Sequence, residues 1–226
     1  LLIDSVTLCG DDPYLLDRPA DKALRIEFYG DSITCGYGVM GNNASPGYVT
    51  FEQDSTNAYA YMTAEILDAD GRYMCQSGKG IVANCIGDRD DMKVSDFWAW
   101  KNAAGEPWDT SRWTPDVCVL NCGTNDAWGG IGDEEFKERG LRFLADVRKA
   151  YPQAKIVWAY GIMDETKLRA VEETVNEFAK NDANTYFFPI KSMYHFNDEV
   201  GGGGHPNTNT SKRTSAELAA RIKEIL

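Results

Sequence analysis

The amino-acid sequence predicts an α/β fold, a three-layer α/β/α arrangement around a central, mostly parallel five-stranded sheet. Two observations carry this prediction. Short apolar runs alternate with longer segments of helical periodicity, the order that produces βαβ units and a parallel sheet covered on both faces. The 226 residues are 43% hydrophobic and 26% charged, enough for one medium-sized domain with a substantial core.

The elements are taken in chain order. Residues 1–8 read as one strand, and Asp11-Asp12-Pro13 and Asp17-Arg18-Pro19 supply turn chemistry after it. Residues 1–23 are therefore expected to be an N-terminal strand and linker, and residues 24–226 the main domain. Within that domain 24–29 reads as the first strand. Thr56 or Asn57 is placed to cap a helix through Tyr61, Ala64 and Leu67. Strands are expected at 72–76, 117–120, 156–160 and 185–188. A helix over 134–150 carries Phe136, Leu141, Leu144 and Val147, and ends at Tyr151-Pro152. A second helix over 167–180 carries Leu168, Val171, Val175 and Phe178. The closing helix, 211–226, places Leu218, Ile222 and Ile225 on one face. Ligands of such sheets bind beyond the carboxyl ends of the strands.

The formal net charge of −12 argues against nucleic acid and anionic membrane surfaces as partners. No apolar run approaches the roughly 18 residues that a spanning helix needs, so a soluble chain is expected. The expected partner is a neutral or weakly charged small molecule or polymer. No signal peptide is read at the amino end, which opens in an apolar run. Export, compartment and oligomeric state are left open. The six cysteines are expected to be mostly free thiols, because Cys75 and Cys118 lie in strand-like runs. No metal is expected: Cys118 and Cys122 lack a second pair, and there are only two histidines.

Three segments carry the chemistry. Gly30-Asp31-Ser32-Ile33-Thr34 comes after the first strand, where a serine on a tight turn exposes its hydroxyl. The same segment also suits a simple helix cap. Asn121-Cys122-Gly123-Thr124-Asn125-Asp126 comes after the third strand and brings amide donors to the same edge. Gly201-Gly202-Gly203-Gly204-His205-Pro206-Asn207 precedes the last helix and presents an accessible imidazole. A nucleophilic serine needs a base, and histidine is the usual one. His195 sits in the apolar setting Met193-Tyr194-His195-Phe196 and reads as a packed structural histidine, which leaves His205 as the base.

Together these blocks resemble the SGNH or GDSL hydrolase superfamily, whose fold is flavodoxin-like, over residues 24–226. The run Phe28-Tyr29-Gly30-Asp31-Ser32-Ile33-Thr34-Cys35-Gly36-Tyr37-Gly38 is similar to carbohydrate esterase family 2. So are Ala58-Tyr59-Ala60-Tyr61, Ser77-Gly78-Lys79-Gly80-Ile81 and His205-Pro206-Asn207. That resemblance implies a serine esterase removing O-acetyl groups from xylan or related glycans, with an acetylated oligo- or polysaccharide as partner and no cofactor. It implies Ser32 as nucleophile and His205 as base. The backbone N–H groups of Ser32 and Gly80 and the side-chain amide of Asn125 are implied as the oxyanion hole. A β-sandwich domain usually precedes the hydrolase in that family, and residues 1–23 would be its remnant.

Asp31 and Asp126 are expected to hold their turns by accepting backbone N–H groups. The superfamily's usual aspartate, three residues before the histidine, is Gly202 here, and a tryptophan common just before the histidine is Gly204. Either a backbone carbonyl orients the imidazole, making a Ser-His dyad of a kind found in family 2, or another carboxylate reaches in. The carbonyl is the expectation, since flexible glycines separate Asp198 and Glu199 from His205. Trp128, three residues after Asn125, is expected beside the site as a sugar-stacking face, whereas Trp98, Trp100, Trp108 and Trp113 are expected mainly to pack.

Three readings compete. Gly36-Tyr37-Gly38-Val39-Met40-Gly41 matches a dinucleotide-binding pattern, but it starts too late after the strand and runs into loop. A catalytically inactive glycan-binding relative would account for the tryptophans and the missing aspartate. A lipase or thioesterase on another acyl ester is the third.

Overall fold

The computed structural model describes residues 5–17, 19–45, 47–101 and 105–226. Five strands form one sheet: β1 (Leu24–Gly30), β2 (Ala69–Cys75), β3 (Val117–Asn121), β4 (Lys155–Tyr160) and β5 (Thr185–Pro189). Every pairing is parallel, in the order β2-β1-β3-β4-β5. The helices are α1 (Ser32–Cys35), α2 (Tyr59–Ile66), α3 (Val94–Phe97), α4 (Thr124–Trp128), α5 (Asp133–Ala150), α6 (Leu168–Ala179) and α7 (Thr208–Ile225).

Successive side chains of a strand point to opposite faces, so each face of the sheet has its own core. One core joins Tyr29, Cys118, Leu120 and Trp158 to Phe136, Phe143 and Leu144 of α5 and Val171 and Val175 of α6. The other joins Ile26, Phe28, Val119 and Val157 to Tyr59 and Ala64 of α2 and Leu218 and Ile222 of α7. This is the expected three-layer arrangement.

The chain leaves β1 for β2 on one side and returns to β3 on the other. The sheet therefore reverses direction between β1 and β3, and their carboxyl ends lie side by side, with Gly30 opposite Asn121. Such a reversal opens a crevice that suits a ligand.

Element boundaries differ from expectation where capping decides them. Thr56 and Asn57 lie in a 3-10 turn capped by Asp54, and α2 begins only at Tyr59. The closing helix starts three residues early, because Asn207 Oδ1 accepts the N–H groups of Asn209 and Thr210. The predicted strand at 1–8 is not found where it can be checked. Residues 5–8 are exposed coil without strand pairing, and residues 1–4 lie outside the described residues. All six cysteines are free.

Candidate active site

Ser32 opens α1 immediately beyond β1. Asp31 caps this four-residue helix by accepting the Ile33 N–H at 2.9 Å. The first N–H groups of a helix have no intrahelical acceptor, so among the described residues the Ser32 N–H has no acceptor and is a donor beside its own hydroxyl. His205 arrives from the segment before α7, and its Nε2 lies 2.9 Å from Ser32 Oγ.

The imidazole is oriented by its own loop. Nδ1 is 3.1 Å from the carbonyl oxygen of Gly203. A carbonyl only accepts, so Nδ1 carries the proton and Nε2 is left to accept from the serine hydroxyl. Gly203 and Gly204 both adopt left-handed backbone (φ +60° and +73°), which turns the carbonyl back on the ring two residues later. Tyr37 lies over the imidazole, ring centroids 4.3 Å apart. Burial lowers the imidazole pKa below 6.5, and the Gly203 carbonyl only partly offsets this.

The strand reversal brings Asn125 of α4 to the same crevice. Its amide nitrogen donates to Asp31 Oδ2 at 2.9 Å and to the Lys79 carbonyl at 3.1 Å. Burial raises the Asp31 carboxyl to about 7; nearby Asp126 adds to the rise, against the bonds from Ile33 and Asn125. Asp126 is also raised by burial, although Ile81, Val82 and Ala83 all donate backbone N–H groups to it. Asp31 thus holds its own turn, whereas Asp126 holds a loop 43 to 45 residues away.

Ser32, Asn125, His205 and Trp128 line one cavity of about 200 Å³, together with Tyr37, Gly78, Cys85 and Met163. This combination of a serine hydroxyl, a neutral imidazole acceptor and neighbouring amide donors suits acyl transfer.

A family model described as GDSL-like lipase/acylhydrolase matches residues 28–225. The chain belongs to the GDSL-like family. The cellulase/esterase CelE of Acetivibrio thermocellus is 30% identical over 223 residues, which make up 94% of this chain and 27% of that protein. An acetylxylan esterase / glucomannan deacetylase of Cellvibrio japonicus is 27% identical over 229 residues, 99% of this chain and 63% of the relative. This chain therefore spans less than two thirds of either relative. A solved family two carbohydrate esterase from Clostridium thermocellum, in complex with cellohexaose, superposes with a TM-score of 0.87 at 28% identity. The match covers 95% of this chain and 68% of that one.

Against the GDSL pattern, Gly80 is not on the cavity wall. It is buried, its N–H is directed at Asn84 Oδ1 (3.3 Å), and a Cβ there would meet the Asp126 carboxylate at 2.7 Å. Gly78, two residues earlier, lines the cavity instead and has left-handed backbone (φ +80°). His195 is also not a packed histidine. Its side chain is exposed and paired with Glu165 at 3.1 Å, while Met193 takes the buried position of that turn. Trp98 packs against Tyr29 and Phe143, and the Arg72 guanidinium lies over the rings of both Trp108 and Trp113. The Trp158 indole N–H holds the turn after β3 through the Cys122 carbonyl at 3.1 Å.

The missing aspartate has a structural reason. A Cβ at Gly202 would overlap Glu52 Oε2 and come within 3.2 Å of the Gly38 Cα. Glu52 is buried at 8% exposure, with Oε1 accepting from Ser45 at 2.7 Å and Oε2 without a partner. A carboxylate from 150 residues away thus fills the space an aspartate at 202 would need. Among the described residues no carboxylate bonds His205 Nδ1; Glu199 is bound to Arg213 at 2.7 Å.

Gly202→Asp is therefore expected to destabilise the chain by about 2 kcal/mol, through overpacking and a second buried charge. Pairing it with Glu52→Ala should recover most of the loss. Denaturant midpoints of the three proteins check this, and a Gly202→Asp protein as stable as the parent would refute the account.

Proposed function

We propose that this chain is a serine esterase that removes O-acetyl groups from xylan or a related glycan through a Ser-His dyad and an acyl-enzyme. The observation that carries the proposal is the 2.9 Å contact between Ser32 Oγ and His205 Nε2, with Nδ1 already committed to the Gly203 carbonyl. The relatives named acetylxylan esterase and carbohydrate esterase supply the substrate class.

In this reading Ser32 Oγ attacks the acetyl carbonyl while Nε2 takes its proton. The tetrahedral oxyanion then collapses, the sugar oxygen leaves with the proton from Nε2, and the acetyl group stays on Ser32. Water attacks that ester with the same base, releasing acetate and restoring the hydroxyl. The Ser32 and Gly78 N–H groups meet the developing charge, Gly78 replacing Gly80. Asn125 is the third donor. Both of its amide hydrogens are engaged at rest, so one turns from the Lys79 carbonyl to the oxyanion, since bonds to a charged acceptor are about twice as strong. A donor already in place, such as the Ser32 N–H, is worth roughly 3–4 kcal/mol. A cavity of about 200 Å³ favours a short acyl group over a lipase's long chain.

Ser32→Ala should lower acetate release from both 4-nitrophenyl acetate and acetylated xylan by about 10⁴-fold or more. Retention of even a tenth of the activity would exclude Ser32 as nucleophile. Only the neutral imidazole accepts the serine proton, so activity falls as pH drops through the His205 pKa. Burial lowers that pKa, so the acid limb of kcat/KM on 4-nitrophenyl acetate is expected to have its midpoint below 6.5. A midpoint above 7 would contradict it. Trp128 is 56% exposed at the cavity mouth. Trp128→Ala should raise KM for acetylated oligosaccharides several-fold and leave KM for 4-nitrophenyl acetate nearly unchanged. Equal effects on both substrates would count against sugar stacking.

A further inference from the structure

A second cavity, of about 560 Å³, lies where β1 and β2 begin, at the end of the sheet opposite Ser32. At about 3.3 Å per strand residue, the separation is roughly 20 Å. Its walls include Arg25, Arg72, Arg112, Trp108 and Trp113. The guanidinium carbon of Arg72 sits 4.6 Å from the Trp108 ring centroid and 4.2 Å from that of Trp113. Arg112 lies 5.3 Å from the Trp108 ring.

Arg72 and Arg112 are not balanced by the acids beside them. Asp21 pairs with Arg25 at 3.4 Å, and Asp70 accepts the Lys22 backbone N–H at 2.9 Å. Glu27, opposite Arg72 in the strand register, accepts from Tyr29 at 2.7 Å. Neither the Arg72 nor the Arg112 side chain forms a hydrogen bond or ion pair with any described residue. Burial holds Arg72 below its usual pKa, with Arg112 and Arg25 adding to the fall and Glu27 opposing it.

Arg72 thus lies within cation–π distance of two indoles, while its N–H groups are without an acceptor among the described residues. An in-plane fork recognises a carboxylate through two parallel bonds. The net charge of −12 penalises polyanions, which leaves a ligand with one carboxylate on an otherwise neutral body. Resting on the glycan reading above for the body of the ligand, we infer that this cavity binds the carboxylate of an acidic sugar, such as a uronic acid unit of a polysaccharide, at an accessory site separate from Ser32.

Calorimetric titration of the intact chain with sodium glucuronate tests this, with glucose and sodium acetate as comparison ligands. Glucuronate should bind at one site and glucose should not. Arg72→Lys, which keeps the charge but loses the fork, and Arg112→Gln, at an exposed position, should each weaken glucuronate at least fivefold. Hydrolysis of 4-nitrophenyl acetate should be unchanged in both, which separates this site from the one at Ser32 and reports that each variant is folded. Absence of glucuronate binding, or binding unaffected by both substitutions, would overturn the inference. Acetate binding as tightly as glucuronate would leave a carboxylate site but overturn its assignment to a sugar.

Discussion

The reversal of the sheet between β1 and β3 is the constraint on which the site depends. Parallel pairing sets Gly30 opposite Asn121, so the segments leaving the two strands emerge at one crevice. Ser32 lies just beyond one strand and Asn125 just beyond the other, 94 residues after the capping Asp31 that Asn125 binds. Both strands are buried on both faces, and a slip of one residue would turn every side chain of a strand to the wrong core. The packing that holds the sheet therefore also holds the distance between the nucleophile and the amide.

Around that crevice the chain tolerates unfavourable electrostatics. Asp31 and Asp126 are both buried, burial hinders ionisation of each, and Asp126 adds to the effect on Asp31. Their hydrogen bonds join β1, the loop at 79–83 and α4 into one network. Asp31 caps the serine helix and binds Asn125, while Asp126 gathers three backbone N–H groups from the loop that also carries Gly78. Removing either partner of such a network leaves a buried charge without its donors, so the network favours a single arrangement of the wall.

The histidine is held by a different device. In a serine protease, loss of the orienting aspartate costs about 10⁴ in rate because the imidazole takes the wrong tautomer. Here a carbonyl two residues away fixes the tautomer without adding a charge, and Tyr37 covers the ring. A carbonyl stabilises an imidazolium less than a carboxylate would, so burial dominates and the imidazole is kept neutral. Glu52 supports the loop by filling the space beside Gly202 rather than by reaching the ring.

The strands, the long helices and the two-sided core were legible because apolar spacing is local. So were Ser32 and Asn125 as members of one edge, since a residue just beyond a parallel strand has little choice of where to lie, while His205 was legible from the glycine-rich segment before the last helix. The glycine on the cavity wall was not legible: Gly78 and Gly80 are two residues apart, and only the left-handed turn at 78 and the Asp126 contact at 80 separate them. His195 was misread because an apolar neighbourhood in sequence does not say which residue of a 3-10 turn faces inward. Glu52 carried no signal, because its role is defined by Gly202, 150 positions later. The expected strand at the amino end failed: residues 5–8 are exposed coil and pair with no strand of the sheet. Sequence by itself determined the layers and the chemical residue types, through apolar periodicity and the short polar segments at the strand ends. Tertiary structure alone decided which donors face the cavity, because that depends on contacts between residues far apart in the chain, whereas the carbonyl that holds the histidine lies two residues from it and was expected from the sequence.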